Sequence, residues 1–125
     1  MKLSKAIDPQ FQIALRKLST QEIPLRTAFK LKGIVKRVNE ELTKYDEVRG
    51  EALKRLGDKN EDNSLMVDEN GGVKLSDANL KEFTEELTAL INTDIDVGTI
   101  KLNDLGDKLS MITNELMLLD DVIID

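Results

Sequence analysis

The sequence predicts a mainly helical α+β fold, with a long central helix packed against two or three shorter helices and a small β-hairpin or antiparallel sheet. Three observations carry that expectation. Apolar residues recur at alternating spacings of three and four from Ala28 to Leu56, the signature of one continuous helical stripe. Asp8-Pro9 and Ser76 stand where helices should begin. Short apolar runs on either side of Asn70-Gly71-Gly72 read as a hairpin.

Taken in order, Asp8 supplies an N-cap side chain and Pro9 occupies the first helical position, where its missing N–H costs nothing. Phe11, Ala14, Leu15 and Leu18 then form the first apolar stripe, which residues 19–23 break. Pro24 opens the long helix by the same logic. Its seam runs Ala28, Leu31, Val35, Val38, Leu42, Tyr45, Arg49, Ala52 and Leu56, with Arg49 as the one polar interruption. Phe29, Ile34, Val48 and Leu53 widen the seam, as in a helix covered by other elements. Gly57 is a natural stop. From Pro24 to Leu56 such a helix measures roughly 50 Å at 1.5 Å per residue. A compact domain of this chain's length is very roughly 36 Å across. The helix is therefore expected to kink, or to project and find a partner.

Residues 58–64 are polar turn material, and Leu65-Met66-Val67 and Val73-Lys74-Leu75 flank the hairpin loop. Ser76 caps a third helix, with Leu75 and Leu80 placed as a hydrophobic staple. Its stripe is Leu80, Phe83, Leu87, Leu90 and Ile91, and its outer face is acidic. Around Gly98, the alternation of Ile95, Val97, Ile100 and Leu102 suggests two short extended pieces, paired with each other or with the hairpin. Ser110 or Thr113 could cap a last short helix carrying Leu116, Met117 and Leu119, and Val122 to Ile124 would dock the tail. The expected organisation is a single domain over 1–125: a basic helical part (1–57), the polar turn and hairpin (58–75), and an acidic part (76–125).

Composition narrows the chemistry. The 125 residues include no Cys, no His and no Trp, 34% are charged, and the net charge is −6. Without Cys or His there are no disulfides, thiolate zinc sites or thiol nucleophiles, and the usual general base near neutral pH is missing. No Walker loop or dinucleotide fingerprint occurs. The Asp94/Asp96, Asp104/Asp107 and Asp120/Asp121 pairs lack an apolar pocket that would separate their pKa values. No enzyme, catalytic residue or cofactor is expected. No apolar run approaches the ~20 residues of a membrane span, and the basic N-terminus lacks a signal-peptide core.

Charge is segregated along the chain. Residues 1–57 hold 13 Lys/Arg against 7 Asp/Glu, a balance of +6, whereas residues 58–125 hold 5 against 17, a balance of −12. The two halves attract each other, copies pack head to tail, or each set of charges simply solvates its own helix. The binding candidates are accordingly surfaces. Lys30, Lys32, Lys36 and Arg37 suit an acidic partner, Glu82, Glu85 and Glu86 a basic one, and Arg49 must face water, snorkel or pair. Both charged sets equally fit solvated helix faces. Nucleic acid is disfavoured by the negative charge and the four aromatic residues. Asp58, Asn60, Asp62, Ser64 and Glu69 match the oxygen positions of an EF-hand loop. Against calcium stand Asn63 in place of the loop glycine, the missing exit helix and the single copy.

The order of Ala14-Leu15-Arg16-Lys17-Leu18, Ile23-Pro24, Thr27-Ala28-Phe29-Lys30-Leu31, a charged helix with Tyr45 and Arg49, Gly57-Asp58-Lys59-Asn60-Glu61-Asp62 and Val67-Asp68-Glu69-Asn70-Gly71-Gly72-Val73-Lys74 resembles a small uncharacterised protein family of tailed bacteriophages. The resemblance implies a phage accessory or virion protein, in the bacterial host cytoplasm, the virion or both, with no catalytic residues to transfer. The expected function is association with a protein, either this chain itself or another phage or host protein, in the particle or its assembly. A homo-oligomer would form through the long helix. The alternative is a phage-encoded inhibitor or modulator of a host or defence protein, blocking a basic surface by charge complementarity.

Overall fold

Mainly helical, as the stripes predict, the chain carries five α-helices and one two-strand sheet in a computed structural model, which describes residues 1–125. In order these are α1 (Leu3–Ala6), α2 (Pro9–Leu18), α3 (Leu25–Leu56), α4 (Asp77–Ile91), β1 (Ile100–Lys101), a 3-10 turn (Leu102–Leu105), α5 (Thr113–Met117) and β2 (Ile123–Ile124). Packing divides the chain into two compact units, one of Met1–Leu42 with Asp94–Asp125 and one of Thr43–Thr93. The 32 residues of α3 run on from the first unit into the second. Its length, about 48 Å at 1.5 Å per residue, thus serves two bodies.

In the first unit, the Asp8 carboxylate caps α2 by accepting the Gln10 N–H at 2.9 Å. The expected stripe Phe11, Ala14, Leu15 and Leu18 is buried. It packs with Leu31, Ile34 and Val38 of α3 and with Val97, Ile100, Leu105, Leu119 and Val122 from the C-terminal segment. Thr27, also buried, donates its hydroxyl to the Asp104 carbonyl at 2.7 Å and so ties the first turn of α3 to the 3-10 turn. The N-terminus is held down as well. Ile95 N–H donates to the Met1 carbonyl at 2.8 Å, and Leu3 and Ala6 of α1 are buried.

The sheet corrects the expectation of an antiparallel one. β1 and β2 pair in parallel, Ile100 with Ile123 and Lys101 with Ile124. Parallel neighbours need a crossover of a dozen or more residues, which the 3-10 turn and α5 supply. The pieces around Gly98 do not pair with each other, and the Asp96 carboxylate accepts the Gly98 N–H at 3.1 Å between them. The partner of β1 is the tail instead.

The charge segregation is resolved inside this unit. Residues 1–42 carry a balance of +5 and residues 94–125 one of −6, so together they stand at −1. Lys2–Asp94 (3.4 Å), Lys5–Asp120 (3.7 Å), Lys17–Glu115 (2.7 Å) and Lys108–Glu22 (3.4 Å) all join the two segments. Glu115 does more than pair. Its carboxylate also accepts the Ile112 N–H at 3.0 Å, starting α5 in place of the expected Ser110 or Thr113 cap. The hydrogen bond from Lys17, then that from Ile112, holds the Glu115 carboxyl below its ordinary value. A depressed folded pKa stabilises the fold fully above the unfolded value, and this contribution is lost as pH falls through the folded one. In an NMR titration, the Glu115 carboxyl should titrate below the ordinary glutamate range, and the Ile112 amide should move with the same midpoint. A midpoint in the ordinary range contradicts the tie.

The second unit is built from the C-terminal part of α3, the turn region and α4. The Asp68–Gly72 loop is present: Asp68 N–H donates to Gly72 O at 2.8 Å, and Val67 and Val73 form an antiparallel bridge. A second isolated bridge links Lys59 and Leu65, so these segments make single bridges rather than a strand ladder. Ser76 caps α4 as expected, its hydroxyl accepting the Asn79 N–H at 3.3 Å. Leu56 and Phe83 are the buried apolar side chains of this unit.

Candidate functional site

In the first unit, α3 turns Leu31, Ile34 and Val38 inward, and one helical arc away it presents Phe29, Lys30, Lys32, Lys36, Arg37 and Glu40 along an open groove of about 620 Å³. The structure thus brings the four basic candidates together. It also corrects the reading of Phe29 as part of a covered stripe: the ring is 80% exposed, and Leu25 on the first turn is 88% exposed. The C-terminal segment packs on the core side of α3 through Val97 and Ile100, and it reaches this arc at its edge, beside Arg37 and Lys30.

Lys30, Lys32 and Lys36 form no ion pair. Their charge is therefore directed at solvent. Arg37 is fixed differently, with Nη1 donating to the Val97 carbonyl at 2.8 Å. Gly98 makes room for it. A Cβ there would lie 2.6 Å from Arg37 Nη1, and the backbone sits at φ +93, which L side chains rarely adopt. Arg37 is thus tied to the backbone beside three lysines that form no ion pair.

The remaining candidates lie in the second unit. The Arg49 guanidinium stands 6.0 Å from the centre of the Phe83 ring, which explains a charge in an apolar seam. Arg49→Ala should lower stability by about 0.5–1 kcal/mol and bare the ring. Thermal unfolding checks this, and an unchanged midpoint would count against the contact. Glu82 and Glu86 converge on Arg55 at 3.7 and 2.6 Å, so two of the three acidic candidates are engaged within the unit, while Glu85 is exposed. Leu80, expected in the buried stripe of α4, is 48% exposed, and Val48 of α3 is 46% exposed. Val48, Ala52, Phe83, Leu87 and Leu90 wall a groove of about 270 Å³, which Arg49 and Arg55 line together with Glu51 and Glu86.

The loop with EF-hand spacing closes on itself. The Asp62 carboxylate accepts both the hydroxyl (2.6 Å) and the N–H (3.0 Å) of Ser64, and these bonds, the hydroxyl first, lower its pKa. Asn60 Nδ2 donates to the Ser64 hydroxyl at 3.0 Å, and Asn63 takes the positive φ of 68. Glu69 lies on the exposed Asp68–Gly72 loop. Local turn bonds therefore account for Asp62, Asn60 and Ser64, and no group of three or more acidic side chains gathers to hold a metal ion. Of the carboxylate pairs, Asp94 and Asp120 bind lysines and Asp96 shapes the Gly98 turn.

Comparison with protein-family models, curated proteins and solved structures gave no match. No helix is long and apolar enough to cross a membrane.

Proposed function

We propose that the protein is a non-enzymatic association module, a phage virion or assembly component, whose outer α3 face docks an acidic protein surface. One observation carries the docking: Phe29, 80% exposed, stands among three lysines without an ion pair and an arginine tied to the backbone. An exposed aromatic ringed by cations combines the two features of a docking hot spot, an apolar anchor that excludes water and a charged rim that steers the encounter. A protein partner is favoured over a polyanionic strand because Glu40 lines the same groove and the unit as a whole stands at −1.

The test is the size of the native complex. In extract from cells producing the protein, the chain should elute well above its 14.0 kDa. The combined Lys30→Glu, Lys32→Glu and Lys36→Glu variant should return to the monomer position with an unchanged melting curve. Elution that ignores charge reversal contradicts the reading.

A further inference from the structure

We infer that the acidic surface docked by the α3 face is the second unit of another copy of this chain, with Phe29 of one copy seated in the Val48–Phe83 groove of the next. This inference rests on the docking reading above and names its partner. The projecting half of the contact is Phe29 with Lys30, Lys32 and Lys36 around it. The receiving half is the groove walled by Val48, Ala52, Phe83, Leu87 and Leu90. At about 270 Å³ it falls below the ~300–1,000 Å³ of small-molecule sites, the scale of one or two side chains.

Charge fits the same pairing. The second unit carries 7 Lys/Arg against 12 Asp/Glu, a balance of −5, whereas the first stands at −1. Arg55 is already held by Glu82 and Glu86, and Arg49 lies over Phe83. Of the carboxylates lining the groove, that leaves Glu51, which forms no ion pair, to meet the lysines. Packing gives a further reason. The second unit buries only Leu56 and Phe83 among its apolar side chains, and leaves Val48 and Leu80 about half exposed, so an inserted ring completes a thin core.

Two different patches meet in such a contact, which makes it heterologous. Each bound pair keeps one unused Phe29 face and one unused groove. Association then continues to further copies or closes through a second identical contact.

Heterologous contacts allow a mixing experiment that separates the two halves. Phe29→Ala removes the projecting ring at an exposed site, and Val48→Glu places a charge in the groove at a half-exposed one. By light scattering at low salt, the natural chain should form species larger than 14.0 kDa that shrink as salt is raised. Each variant alone should stay monomeric. Their equimolar mixture should form a one-to-one complex of about twice the 14.0 kDa chain mass, because one supplies the intact groove and the other the intact ring. If Val48→Glu unfolds, Glu51→Lys serves in its place, and Lys32→Glu combined with Glu51→Lys should recover association. A natural chain that stays monomeric at millimolar concentration overturns the inference, as does a mixture that stays monomeric. Should position 29 still contact a different acidic protein in cells, the docking reading stands and the second copy is excluded as its partner.

Discussion

Phe11→Ala is expected to destabilise the protein by about 3–5 kcal/mol, the usual cost of truncating a fully buried phenylalanine. Phe11 is 0% exposed and belongs to the cluster in which α2, the first part of α3 and the C-terminal segment meet. Its removal leaves a cavity among Leu15, Leu18, Ile34 and their neighbours, which close packing fills only in part. Against the ~5–15 kcal/mol by which domains are stable, this is a large share. Chemical denaturation should show an earlier midpoint with little change in slope, and Phe11→Leu should recover most of the loss. A Phe11→Ala midpoint equal to that of the natural chain would mean that α2 does not anchor this core.

The second large effect is expected at Gly57, where α3 ends. Its N–H donates to the Leu53 carbonyl at 2.8 Å, and the residue is buried. A Cβ there would sit 2.6 Å from the Leu53 carbonyl oxygen, 2.7 Å from Val73 Cγ1 and 2.8 Å from Leu65 Cδ2. The oxygen belongs to the backbone and cannot swing aside, so Gly57→Ala must push the helix end and the turn region apart. Overpacking of this kind costs about 1–3 kcal/mol, and the upper part of that range is expected. The Met66 and Lys74 amides, which donate to Asp58 and Met66 carbonyls at 2.8 and 2.9 Å, should lose hydrogen-exchange protection. Retained protection would show that the turn region yields without cost.

Much of this fold was readable from residues whose signals are local. Asp8-Pro9, Ser76 and Gly57 mark helix ends through hydrogen bonds within a few residues, and the structure places them there. Signals set by distant neighbours were not readable. β1 and β2 have two residues each, too few to show a period, and their parallel pairing depends on a crossover. α1 is a single turn, which no isolated sequence stabilises, and it forms because Leu3 and Ala6 find a core. The seam of α3 illustrates the limit most clearly. Its spacing identified one long helix, but spacing cannot say which stretch is covered, and Phe29 and Val48 lie exposed where a buried stripe was expected.

The candidate site divides in the same way. Lys30, Lys32, Lys36 and Arg37 stood out as one helix-face cluster, and the structure gathers them. Phe29 was missed as their centre because an aromatic residue at helical spacing reads as core. Its only sequence signal was the company it keeps, since Lys30 and Lys32 follow directly and leave little of that arc apolar. The segregated charge likewise has more than one meaning, and four ion pairs between residues 1–42 and 94–125 show how far it is satisfied within the chain.

The measurement closest to the central claim replaces Phe29 with a photoreactive benzoylphenylalanine and identifies what it captures in cells producing the protein. Docking through the α3 face predicts one dominant adduct, joined at an acidic segment of a protein and lost when Lys32→Glu and Lys36→Glu are introduced together. No adduct at position 29, or one whose yield charge reversal leaves unchanged, would contradict it.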